Sequence, residues 1–103
     1  MHQALYEKLK EVARAESKIA YSDLAKSVHL NRRRLGSPLE EICRYEHDQN
    51  RPMLSVVAVY KQSGIPAPPF FDLAHTLGVY KGGNDFEFFT RELCIVHEYW
   101  SSR

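Results

Sequence analysis

Cysteine is scarce in this chain, two residues in 103, and no apolar run approaches the ~20 residues a membrane-crossing helix needs. Cys43 and Cys94 lie far apart, each among apolar residues of an expected helix, where buried free thiols are common. The opening residues Met1-His2-Gln3-Ala4-Leu5-Tyr6-Glu7 lack the charged-then-apolar layout of a signal peptide, so a cytoplasmic location with reduced thiols is expected. An excess of either charge is also missing. Lys and Arg total 14 against 13 Asp and Glu, a formal net charge of +1. Any nucleic-acid surface must therefore come from local clustering of cations. Motifs that carry chemistry are absent as well: there is no His-Glu-x-x-His, no paired-cysteine spacing and no glycine loop of phosphate-binding type. His75 and His97, with Asp72 or Glu98, do not show metal-ligand spacing, and both read as surface or rim histidines. In Arg44-Tyr45-Glu46-His47-Asp48, neighbours on a helix point in different directions and do not converge. No catalytic residue, metal or cofactor is expected, and the chain reads as a non-enzyme.

What the sequence does have is core material. It is 44% hydrophobic, 12% aromatic and 26% charged, enough to fold residues 1–103 as one domain. Leu5, Leu9 and Val12, spaced four and three apart among charged residues, predict an amphipathic helix over Leu5 to Ala15. Ile19-Ala20-Tyr21 is long enough only for an extended crossing or brief strand. Ser22 is the expected N-cap of a short helix with Leu24, Ala25 and Val28 on one face. Asn31 to Gly36 is a polar connection. Ser37-Pro38-Leu39-Glu40 then reads as N-cap, first-position proline and capping-box glutamate of a third helix running to about Asp48, with Leu39, Ile42 and Cys43 inward.

After Pro52, the β-rich run Met53 to Tyr60 predicts the main strand, too continuously apolar to have a wet face. Lys61 to Gly64 is a turn. Ile65-Pro66-Ala67-Pro68-Pro69 is extended and poor in amide donors, so it is no central strand. Phe70 to Leu77 predicts a short helix closed by Gly78. Asn84 or Asp85 caps a final helix over 85–101, in which Phe89, Leu93, Val96 and Trp100 share a face broadened by Phe88, Ile95 and Tyr99.

Helix, brief extended crossing, short helix, capped helix and strand is the order of a winged helix, whose second and third helices form a helix-turn-helix. The fold class expected is therefore α+β, a winged-helix-like helix-turn-helix domain over 5–77 with a small β-sheet and an added C-terminal helix. Ile19-Ala20-Tyr21-Ser22-Asp23-Leu24-Ala25, then Asn50-Arg51-Pro52-Met53-Leu54 and a valine-rich run leading to Ser63-Gly64, resembles the DNA-binding C-terminal domain of O6-alkylguanine-DNA alkyltransferases. The resemblance covers roughly residues 5 to 77 and implies a DNA-binding scaffold. It does not imply repair: with the family's Ser-Gly turn set on Ser63-Gly64, its Pro-Cys-His-Arg motif meets Val56, Val57 and Ala58 in place of Cys, His and Arg. The family's arginine finger has no clear match, since Arg32, Arg33 and Arg34 sit near its place but ahead of a glutamate-containing helix.

Two functional readings follow. In the first, the chain is a non-enzymatic module for double-stranded DNA. Arg32, Arg33 and Arg34 contact phosphates without reading bases, and Arg44, Arg51 and Lys61 add helix, backbone and wing contacts. Against it stands the third helix, where Glu40, Glu41, Glu46 and Asp48 face one guanidinium, Arg44, leaving residues 37–49 a formal charge of −3. In the second, the chain is a protein-interaction or assembly domain, a homodimer or docking module. Phe88, Phe89, Ile95, Tyr99 and Trp100 are its candidate interface, and core packing of the last helix is the simpler account of the same residues.

Overall fold

Every element of the structure, a computed structural model describing residues 1–103, is short except the last helix. Helix α1 (Gln3–Arg14) turns Leu5, Tyr6, Leu9, Val12 and Ala13 inward, and its entry is capped by His2 Nδ1, which accepts from the Leu5 amide at 3.1 Å. Strand β1 (Ile19–Ala20) leads directly into α2 (Tyr21–Ser27). A 3-10 turn (Arg32–Arg34) precedes α3 (Gly36–Asp48), and a second 3-10 turn (Leu54–Val57) precedes β2 (Ala58–Val59). Helices α4 (Pro68–Thr76) and α5 (Asp85–Ser101) complete the chain. The result is a mixed, mainly helical domain of five α-helices and one two-stranded sheet.

The expected strand over Met53–Tyr60 is corrected by the structure. Only Ala58–Val59 are extended, and they pair with Ile19–Ala20 in parallel, Ile19 opposite Ala58 and Ala20 opposite Val59. Leu54 to Val57 coil instead into a 3-10 turn packed against α1, α3 and α5. The reason is the surroundings: residues 53–59 are buried, the stretch Leu54–Val57 lies among α1, α3 and α5, and the one partner strand, β1, is two residues long and reaches only Ala58–Val59. Backbone groups there must be satisfied locally or by side chains. The Val56 amide donates to the Met53 carbonyl at 3.1 Å, and the Met53 amide donates to the buried Glu92 carboxylate of α5 at 3.0 Å. Burial pushes the Glu92 carboxyl up from its ordinary range, and the Met53 amide opposes that shift.

Two caps are also corrected. Helix α2 starts two residues early, with Ala20 as its N-cap in place of Ser22. Helix α3 is entered through Leu35, whose helical backbone continues from the preceding 3-10 turn, so Ser37 and Pro38 lie inside the first turn and no capping box forms. Pro38 is tolerated because first-turn amides have no intrahelical acceptor; the Leu39 amide makes an early helical bond, to the Leu35 carbonyl at 3.0 Å. Asn84 caps α5 as expected, its side chain accepting from the Glu87 amide at 3.1 Å.

One hydrophobic cluster runs through all five helices and the second 3-10 turn. Inside it sit two carboxylates, Glu92 and Glu46, the latter fully buried. Glu46 Oε2 accepts from the Tyr6 hydroxyl at 2.9 Å and from Arg51 Nε and Nη2 at 3.0 and 2.8 Å. No helix is long and apolar enough to cross a membrane.

Candidate functional site

Asn31 builds the first 3-10 turn. Its side-chain oxygen accepts from the Arg33 amide at 3.0 Å, and its carbonyl accepts from the Arg34 amide at 2.8 Å. With three residues per turn, successive side chains fan out around the axis at about 120°. Arg32, Arg33 and Arg34 are accordingly all exposed, and none forms an ion pair. Arg32 lies over the Tyr60 ring, its guanidinium carbon 5.6 Å from the ring centre, while Arg32 and Arg33 together reach a cleft that Arg34 does not line.

That cleft, of about 390 Å³, runs between the arginine turn, α3 and the start of α4. Its walls are mostly apolar: Leu35, Leu39, Phe70 and Leu73, with Tyr21 and Tyr60 at one side. The two tyrosine rings meet edge to face at 5.2 Å. Tyr21 is fixed by accepting the Ala67 amide at 2.9 Å, which ties the proline-rich segment to α2, and burial raises its phenol pKa. A second, more polar cleft of about 540 Å³ shares Tyr21, Arg32 and Tyr60 and adds Ser22, Lys61 and Ser63. The fold thus brings Lys61 to the same hollow as Arg32, and no carboxylate lines it.

Ser55 faces the first cleft, where its hydroxyl lies 2.9 Å from the Cys43 sulfur. Burial pushes that thiol up to about 11, so it stays protonated at neutral pH. The expectation of two buried thiols holds for Cys43 alone, since Cys94 is exposed; neither is in a disulfide.

The other cations named from the sequence are engaged elsewhere. Arg44 pairs with Glu40 at 2.9 Å along α3. Arg51 is held by Glu46, whose hydrogen bonds, together with its charge, drive the guanidinium pKa up. These two pairings also change the electrostatics of α3. Of its four carboxylates, Glu46 is internal and Glu40 is matched by Arg44, leaving Glu41 and Asp48 exposed without a side-chain cation. Arg44 is already part of the formal −3 of residues 37–49, so the new cation is Arg51, which brings the helix with its partner to −2.

The last helix divides differently from its sequence. Phe88, Phe89 and Trp100 are 3, 4 and 6% exposed and belong to the chain's own core. Tyr99 is half-buried, and Ile95 stands out at 45% exposure. His75 stacks on Tyr80 with ring centres 4.2 Å apart, His97 Nε2 donates to the Ser17 carbonyl at 2.9 Å, and no three His, Cys, Asp or Glu side chains gather as a metal site. The apolar cleft escaped sequence reasoning because its walls come from four separated segments; the one available signal was the proline-rich stretch, which returns Phe70 and Leu73 to α3.

No protein-family model, curated protein or solved structure matches the chain.

Proposed function

We propose that this chain is a non-enzymatic DNA-binding module, a winged-helix-like helix-turn-helix domain with an added C-terminal helix, acting in the cytoplasm on double-stranded DNA. Helices α2 and α3 with the arginine turn between them stand for the helix-turn-helix, and the turn after β2, carrying Lys61, occupies the place of a wing. The observation that carries the reading is the set of three exposed guanidinium groups on one turn, free of ion pairs, with Lys61 sharing the cleft of Arg32. Cations left unpaired in this way release counterions when they meet phosphate, and that gain supplies sequence-independent affinity. Arg44 supplies a weaker contact, since phosphate must compete with Glu40. Arg51 contributes by holding the fold. The assembly reading loses most of its interface, because Phe88, Phe89 and Trp100 are already buried.

Fluorescence anisotropy of a labelled duplex at low salt tests the proposal. Wild type is expected to bind duplexes of unrelated sequence with similar affinity, and the Arg32→Ala/Arg33→Ala/Arg34→Ala variant to bind far more weakly while staying folded. Binding undiminished by the triple substitution, or none by wild type, refutes it.

A further inference from the structure

Phe86 is 62% exposed, more than any other large apolar residue of the chain. It stands in the first turn of α5 between two exposed carboxylates, Asp85 and Glu87, so the helix presents a benzyl group flanked by negative charge. Its nearest ring is Phe89 of the same helix, at 6.3 Å. A single exposed apolar side chain is ordinary. This one has a counterpart: the apolar cleft is the same motif in negative, a hollow walled by Leu35, Leu39, Phe70 and Leu73 and rimmed by Arg32 and Arg33. The one carboxylate at that rim, Glu40, is matched by Arg44.

We infer that the cleft receives Phe86 of a second copy of this chain, with Asp85 and Glu87 of that copy facing Arg32 and Arg33. The interior of the cleft suits a hydrocarbon ring better than a polar heterocycle. Of its lining hydroxyls, Ser55 is already against Cys43 and Tyr21 against the Ala67 amide, so the N–H and carbonyl edges of a base would find few free partners along the apolar walls. Because knob and cleft are different surfaces, the contact is head to tail, and each added copy leaves a free knob at one end and a free cleft at the other. One aromatic anchor with a charged rim makes a small interface, which places the association at roughly 100 µM. The inference does not rest on DNA binding; a duplex would compete for Arg32 and Arg33.

Sedimentation velocity of the full chain without nucleic acid, from about 10 µM to about 1 mM, tests it. Wild type is expected to grow in mass with concentration, and Phe86→Ala and Arg33→Glu each to weaken association by about tenfold or more. Leu39→Trp, which fills the cleft, is expected to be monomeric alone. Mixed with Phe86→Ala it is expected to form a one-to-one pair, since one variant keeps the knob and the other keeps the cleft. Arg33 is exposed and unpaired, so its variant decides the cleft side if Leu39→Trp fails to fold. A wild type that stays monomeric throughout, association unaltered in Phe86→Ala, or a mixture of folded variants that does not pair overturns the inference. So does a monomeric wild type that binds an isolated Asp-Phe-Glu peptide, which would assign the cleft to a foreign acidic segment.

Discussion

Replacing Arg51 by methionine leaves the Glu46 carboxylate, at 0% exposure, with the Tyr6 hydroxyl as its one remaining partner. The variant loses two charge-assisted hydrogen bonds, of 3.0 and 2.8 Å, to the same oxygen. The other oxygen, Oε1, is already without a partner, so nothing else offsets the stranded charge. Breaking a fully buried pair costs about 3–5 kcal/mol, and the 22% exposure of Arg51 lets water in on one side, so about 2–4 kcal/mol is expected. For a domain of this size that lowers Tm by roughly 10–30 °C, out of a total stability of about 5–15 kcal/mol. Thermal unfolding followed by circular dichroism reads the effect. The companion variant, Glu46→Leu with Arg51→Met, removes both charges together and is expected to recover most of the loss. A fall of under about 1 kcal/mol for Arg51→Met would mean the pair behaves as a surface ion pair, and the reasoning fails. The consequence for function is direct: weak DNA binding by an Arg51 variant reports unfolding unless the folded fraction is measured.

Three further outcomes follow from buried and capping groups. Glu92→Gln keeps an acceptor for the Met53 amide and removes a buried charge. Because burial raises the Glu92 pKa, wild type gains stability as pH falls toward the ordinary 4.5 and loses it as pH rises through the raised value. Melting curves should therefore show the glutamine variant gaining on wild type with rising pH; a difference independent of pH contradicts this. A thiol reagent at neutral pH should modify Cys94 rapidly and Cys43 only on unfolding, and two fast-reacting thiols in the native protein would show that the Cys43 environment is misread. Asn84→Ala removes the side-chain cap of α5 and is expected to cost about 1 kcal/mol by chemical denaturation. No measurable cost would place little stability in that helix end.

The sequence was legible where a pattern is set by one element. Leu5, Leu9 and Val12 keep α1 amphipathic in any fold, and Asn84 meets the Glu87 amide as soon as α5 begins. It misled where the neighbours decide. Met53 to Tyr60 has the composition of a strand, but β-propensity measures fit to a pleated neighbour, and here the neighbours are α1, α3 and α5. Ser37-Pro38 has the text of a helix start, yet the arginine turn already supplies helical backbone through Leu35. The exposed arginines were visible as a cluster; their freedom from ion pairs and the burial of Glu46 against Arg51 were not, because both depend on how α3 packs. Phe86 went unnoticed beside Phe88 and Phe89, since spacing alone does not tell which of three aromatic residues a helix leaves outside.

The central claim is that the arginine turn meets DNA phosphates, and the salt dependence of duplex affinity tests it most directly. If Arg32, Arg33, Arg34 and Lys61 each neutralise one phosphate, log K plotted against log salt has a slope of about −3.6, falling to about −0.9 when the three arginines are alanine. A slope near zero in wild type, or one that the triple substitution leaves unchanged, contradicts the account.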